Sequence, residues 1–205
     1  MDLGLYNAKY PFRKMISFVL PFFKNVDPNF ISLWLIPIGI STALLLYAAP
    51  QRPIYFLWVP LLIFARMFFG TLDGLVAVSF NKQSSNGEII NRVTPEIADM
   101  LMMAALVLSH PNDWRLGVWV LVLSWDIPFF GLVGLTGKKS GQSVGPVGQT
   151  DRLAALMFFC VLQYFGLRHA WSIDFIHLFF YWILVGGLVT VTLRCYRALN
   201  GNVQA

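Results

Sequence analysis

The sequence predicts an all-α integral membrane protein: six transmembrane helices preceded by an amphipathic interfacial helix. Three observations carry this. Of the 205 residues, 57% are hydrophobic and only 12% charged, about half the charge of an ordinary soluble domain. The mean hydropathy is +0.65. The apolar residues fall in continuous runs of about 20, the length that crosses a hydrocarbon core as a helix. The runs do not alternate and are about twice the length of a barrel strand, which excludes a β-barrel.

Residues 1–30 form the first element. The stretch "YNAKYPFRKMISFVLPFFKNVDPNF" mixes Lys9, Arg13, Lys14 and Lys24 with Phe12, Met15, Ile16, Phe18, Phe22 and Phe23. This pattern predicts a juxtamembrane helix lying on the membrane surface, chiefly as an anchor. It is no cleavable signal peptide, being basic and broken by Pro11, Pro21 and Pro28. Asp27-Pro28-Asn29 turns the chain, and Ser32 is placed to cap the first span. The spans follow over 31–49, 54–80, 89–109, 115–136, 152–167 and 173–197, so residues 31–205 read as one helical membrane domain. The second and sixth are long enough to project beyond the bilayer.

Lys and Arg set the orientation. One side carries Lys9, Arg13, Lys14, Lys24, Lys82, Lys138, Lys139, Arg152, Arg194 and Arg197, and the other Arg52, Arg115 and Arg168. Both termini are therefore expected in the cytoplasm, with the protein in the inner (plasma) membrane. The net charge of +5 is mostly this topology signal. It suits anionic membrane lipids, and no basic stripe interleaves with aromatics as nucleic-acid binding would require. Cys160 and Cys195 fall inside spans and read as packing residues. His110, His169 and His177 lack metal-ligand spacing and read as interfacial or packing residues.

Charge inside a bilayer costs about 2.5–3.5 kcal/mol per residue on insertion scales, so each case needs a reason. Arg66, Asp73, Arg92, Glu96, Asp99 and Asp126 are the cases. Spans two and three are joined by the short loop "NKQSSNG", which predicts antiparallel neighbours whose polar ends meet in a cytoplasm-facing pocket. Gly70, Asp73, Gly74 and Ala77 share one helix face, and Asn91, Pro95 and Asp99 another. Gly70-x-x-x-Gly74 alone would read as helix packing, but packing does not need the carboxylate of Asp73. Arg66 and Asp126 lie at similar depth and are expected to form a buried salt bridge. A transporter fits least, because broken helices and further mid-membrane polar groups are few.

Residues 70–99 resemble the signature of the CDP-alcohol phosphatidyltransferases, D-x-x-D-G-x-x-A-R-x8-G-x-x-x-D-x-x-x-D. Here it reads "GTLDGLVAVSFNKQSSNGEIINRVTP". Asp73, Gly74, Ala77 and Gly87 match in identity and spacing. "PNFIS" at 28–32 resembles the start of that family's first span, and "GPVGQTDR" at 145–152 a segment before its fifth. The resemblance covers nearly the whole chain and implies a CDP-alcohol phosphotransferase-like fold. It also implies displacement of CMP from a CDP-linked lipid or alcohol by a hydroxyl. Glycines and alanine let pyrophosphate approach the backbone. Carboxylates hold Mg²⁺ or Mn²⁺, and the last Asp accepts the hydroxyl proton. The resemblance further implies a homodimer.

The departures from the signature fall on the charged positions. Gly70 replaces the first Asp, Val78 the Arg, Asn91 the third Asp and Pro95 the fourth. A transferase with an altered site would use Asp73, Asn91 and Asp99 as metal ligands and Asp99 or Glu96 as base. Gly70, Gly74, Ala77 and Gly87 would form its substrate floor, with Lys82, Lys138 or Arg152 on phosphate. The alternative is a catalytically silent relative that binds lipid or nucleotide as a subunit of a heteromeric membrane complex. Gly70, Gly74, Ala77 and Gly87 keep the pocket open under either reading.

Overall fold

The structure, a computed structural model, describes residues 9–136 and 144–200. Every regular element among them is helical: α1 Lys9–Ile16, a 3₁₀ stretch Ser17–Phe23, α2 Pro28–Leu33, α3 Leu35–Ala48, α4 Tyr55–Ser79, α5 Ser85–Leu108, α6 Trp114–Thr136, α7 Gln149–Arg168 and α8 Phe175–Asn200. Five stretches are long and apolar enough to cross a membrane: Pro28–Ala48, Tyr55–Ser79, Pro111–Val133, Gln149–Arg168 and Phe175–Asn200. The remaining expected span is the 24-residue α5. At about 1.5 Å per residue it has the length to cross. Its first half, "SNGEIINRVTPEIAD", is too polar for the same measure.

The first span is two helices, and the sequence says why. Pro37 has no N–H to offer the carbonyl of Leu33, so the ladder breaks at Trp34. Its N-cap is Asp27 rather than Ser32. The Asp27 carboxylate accepts from the Asn29 amide at 2.9 Å, and Pro28 occupies the first helical position. Ser32 lies one turn in and its hydroxyl is used elsewhere. At the other junction, Asn81 takes the left-handed conformation (φ 53°) that asparagine tolerates. Ser84 then caps α5, accepting from the Gly87 amide at 3.0 Å.

The chain divides into two compact units, Ala8–Ser109 and the residues from His110 onward. In the first, α4 and α5 do not pack side by side along their length as their short loop suggested. Helix α3 packs extensively on both and holds them apart, with α2 bridging their ends. A side chain on Gly39 would stand 2.7 Å from Ala98 Cβ and 2.8 Å from its Cα, so glycine is what lets α3 lie against α5. The small-residue crossing is thus Gly39–Ala98, not Gly70 and Gly74. The 3₁₀ stretch and α1 fold over α4, where Ile16, Ile31, Leu72 and Val76 form a buried cluster. Phe18 and Phe22 point outward at 73% and 82% exposure, as an interfacial anchor requires. In the second unit, α6 and α7 both pack on α8.

Candidate functional site

Of the surviving signature residues, Asp73, Gly74 and Ala77 lie at the C-terminal end of α4 and Gly87 in the first turn of α5. Asp73 is buried, and its carboxylate accepts from the Ser32 hydroxyl at 2.5 Å and from the Gly74 amide at 2.6 Å. Gly87 lies against Asn29: a side chain there would meet Asn29 Oδ1 and Ser84 Oγ at 2.9 Å each. The Asn and Ser of "PNFIS" therefore engage the two signature positions Gly87 and Asp73. Gly74 has no tight neighbour. A Cβ built on it finds only Asn91 Nδ2 at 3.7 Å and Arg13 Nη2 at 4.0 Å. Gly70 is ordinary by comparison, with Arg66 and Leu35 at van der Waals distance. Ala77 is half-buried, and Val78, at the signature's Arg position, is 57% exposed.

Asp99 has different company. Arg66 Nη2 donates to its carboxylate at 2.7 Å and to the Pro95 carbonyl at 3.2 Å, with both charged side chains buried. The expected Arg66–Asp126 pair is therefore corrected to Arg66–Asp99. Depth along two helices does not fix which faces meet, and α4 turns Arg66 toward α5. Arg92 pairs one turn back with Glu88 at 2.9 Å, on the exposed side of α5. Glu96 is half-buried beside Pro95.

The basic residues expected on phosphate have backbone partners here. Lys82 Nζ donates to the carbonyls of Lys24 at 2.6 Å and Val26 at 2.9 Å, tying the juxtamembrane segment to the end of α4. Arg152 Nη1 donates to the Ser124 carbonyl at 2.5 Å. Pro128 has no N–H, so that carbonyl lacks its helical donor four residues on, and Arg152 replaces it. Arg194 holds the carbonyls of Ile127 and, at 2.9 Å, Val144. In the same segment, Gly145 takes φ +119° against Thr190, and Asp151 accepts from the Gly148 amide at 2.9 Å. "GPVGQTDR" is thus a folded junction between α6, α7 and α8. Lys138 lies outside the described residues.

The histidines pack, as their spacing suggested. His110 meets Phe180, His169 stacks between Phe165 and Trp171, and His177 bonds Asp113 at 2.9 Å. Cys160 and Cys195 are free thiols.

A divalent metal does not fit this arrangement of residues. Asp99, one of the expected ligands, bears a guanidinium at 2.7 Å. Asp73 accepts from a hydroxyl and an amide. Among the described residues, no group of three or more His, Cys, Asp or Glu side chains is placed to hold a metal ion. The neighbours of Gly74 suit an anion better: a carboxamide and a guanidinium stand near the same backbone position.

Comparison with known proteins agrees with this architecture. No family model matches the chain. It is 32% identical over 134 residues to the inner membrane protein YnbA of Escherichia coli (strain K12), a match covering 65% of each chain. Its backbone superposes on the crystal structure of Mycobacterium tuberculosis phosphatidylinositol phosphate synthase (PgsA1) with CDP-DAG bound. That match has a TM-score of 0.72 and covers 95% of this chain and 97% of the synthase at 14% identity. The chain is therefore an all-helical integral membrane protein with the CDP-alcohol phosphotransferase-like fold.

Proposed function

We propose that this protein is a CDP-alcohol phosphatidyltransferase-like membrane protein of phospholipid metabolism, whose pocket at Gly74 receives the pyrophosphate of a CDP-linked lipid or alcohol. One observation carries the reading. Beside the buried Asp73, Gly74 keeps bare backbone open to the Asn91 carboxamide and the Arg13 guanidinium, and no apolar side chain comes within 4 Å of a Cβ built there. A relic pocket in a membrane protein would be stabilised by apolar filling. Here the neighbours are a carboxamide and a guanidinium.

In the reaction of this class, an acceptor hydroxyl oxygen bonds to the phosphorus of the donor's alcohol-bearing phosphate. That phosphorus loses its bond to the bridging oxygen, which leaves with CMP, and the hydroxyl proton passes to a base. We assign the base to Glu96, because the charge of Asp99 is committed to Arg66. Gly74 gives the donor access to backbone, whereas the space at Gly87 is taken by Asn29 and Ser84, so Gly87 serves packing instead of the expected substrate floor; Asp73 fixes Ser32 and the first turn of the floor. The reading places the protein in the inner membrane, as the name of the E. coli relative states for that protein. The Lys/Arg asymmetry puts the pocket and both chain ends on the cytoplasmic side. A homodimer or a heteromeric membrane complex is its expected assembly.

A second reading, a silent subunit that binds donor without turnover, is favoured by the Arg66–Asp99 pair and by Pro95 at the signature's base position. Incubating the purified protein with CDP-diacylglycerol and a panel of alcohols, with and without Mg²⁺ or Mn²⁺, separates the two. CMP release that vanishes in Asp73→Ala establishes a transferase. Donor binding without CMP, together with a fixed co-purifying protein, establishes the subunit. Absence of donor binding overturns both.

A further inference from the structure

Three cations bear on the pocket's charge, and they differ in what they hold. Arg66 neutralises Asp99. Lys82 holds two backbone carbonyls. Among the described residues, Arg13 takes part in neither kind of contact. It comes from α1, on the interfacial helix, and its Nη2 lies 4.0 Å from the Cβ position of Gly74. Its Nε is buried without a hydrogen-bond partner among the described residues. A buried guanidinium N–H with no acceptor is costly, and an anion held by this guanidinium would supply one.

The charge balance points the same way. The family signature carries four Asp and one Arg, and so needs bound cations before it can accept pyrophosphate. This chain has lost three of those Asp, at Gly70, Asn91 and Pro95, together with the Arg at Val78. The one that remains, Asp73, is buried and accepts from the Ser32 hydroxyl and the Gly74 amide, and Asp99 is paired with Arg66. With three of the signature's carboxylates gone, the site repels a pyrophosphate less than the full signature would, and Arg13 beside Gly74 offers it a guanidinium.

We propose that Arg13 of the interfacial helix is the phosphate-binding cation of this pocket, and that a pyrophosphate-linked lipid nucleotide binds here without a divalent metal. The inference rests on the pocket reading above and assigns it a residue and a charge mechanism. Arg13 is a binding residue from outside the signature, in a chain where the signature's own Arg is replaced by Val78. It makes the interfacial helix part of the site as well as an anchor.

The test is equilibrium binding of radiolabelled CDP-diacylglycerol to the full chain in nanodiscs, in EDTA and in Mg²⁺. The variants are Arg13→Gln, Arg13→Lys and, as a control on the same helix, the exposed Lys14→Ala. Unlabelled CDP-diacylglycerol and phosphatidylglycerol serve as competitors. Each variant is first checked by size-exclusion chromatography and thermal melting. We expect wild-type binding in EDTA within about twofold of that in Mg²⁺. Arg13→Gln should weaken it about tenfold or more, the scale of a lost hydrogen bond to a charged group. Arg13→Lys should restore part of the loss, Lys14→Ala should change it less than about twofold, and phosphatidylglycerol should not compete. Binding that disappears in EDTA overturns the inference and leaves the pocket reading intact. So does an Arg13→Gln effect no larger than that of Lys14→Ala. Equal competition by phosphatidylglycerol would make Arg13 a general headgroup contact and also overturns it. Failure of the wild type to bind CDP-diacylglycerol in either condition overturns the pocket reading itself.

Discussion

Asp73 and Asp99 are both buried carboxylates, at 1% and 4% exposure, on the two helices that carry the signature. Their partners separate them. Asp73 accepts from a hydroxyl and a backbone amide, which stabilise its charge by hydrogen bonding. Asp99 accepts from a guanidinium, which cancels it. Arg66 lies seven residues before Asp73, about two turns or 10 Å along α4. One carboxylate thus belongs to the mouth of the pocket and the other to the frame beneath it. Two acids that look alike in a sequence motif have divided the roles of site and scaffold.

Breaking the frame should have the largest effect. Arg66→Leu leaves Asp99 as an uncompensated buried charge, and removal of one partner of such a pair costs about 3–5 kcal/mol. The variant should melt far below the wild type in detergent. Arg66→Leu with Asp99→Leu should recover most of the loss, since apolar replacement of both partners is often neutral. A single variant that melts like the wild type would refute the pairing. Next comes the helix crossing. Gly39→Ala must push Ala98 backbone away from 2.8 Å, an overpacking cost of about 1–3 kcal/mol. Unchanged melting there would show that α3 has slack against α5.

The sequence showed some of this and hid the rest for physical reasons. Helix positions were legible because apolar runs of span length have few alternatives. Gly87 was legible through the resemblance to the signature, though as substrate floor and not as the packing partner of Asn29. Arg66 was not, because hydropathy gives depth but not the direction in which a helix turns a side chain. Both Asp99 and Asp126 were eligible partners. The Ser32–Asp73 bond joins residues 41 apart, and Ser32 next to a turn read as a cap. Asp27 fills that role, and "PNFIS" held the clue that two of its residues serve the site. Arg13 was absorbed in an amphipathic pattern where basic residues read as lipid contacts. Arg152 read as a phosphate cation, although Pro128 four residues after Ser124 already announced a carbonyl in need of a donor.

A smaller effect probes the mouth. Ser32→Ala removes a hydrogen bond to the Asp73 carboxylate, worth about 1.5–3 kcal/mol when the acceptor is charged. The net loss should fall at the lower end, because the Gly74 amide still serves the same carboxylate. Chemical denaturation in mixed micelles measures it. A loss comparable to that of Arg66→Leu would make Asp73 part of the frame too, and the contrast with Asp99 would collapse.

Gly74→Ala should have the smallest effect on stability and the sharpest on function. The added methyl meets Asn91 Nδ2 at 3.7 Å and Arg13 Nη2 at 4.0 Å, ordinary van der Waals distances that demand no movement. Alanine also favours the helix by up to about 1 kcal/mol over glycine. The melting point should therefore hold or rise slightly, in contrast to Gly39→Ala. The same methyl occupies the space that the carboxamide and guanidinium face, so binding of CDP-diacylglycerol should fall well below wild type while the fold is unchanged. A variant that binds as the wild type does would place the ligand away from Gly74. The glycine would then be left with no role that alanine cannot fill, and Asp73 would stand beside an empty corner of the scaffold instead of a pocket.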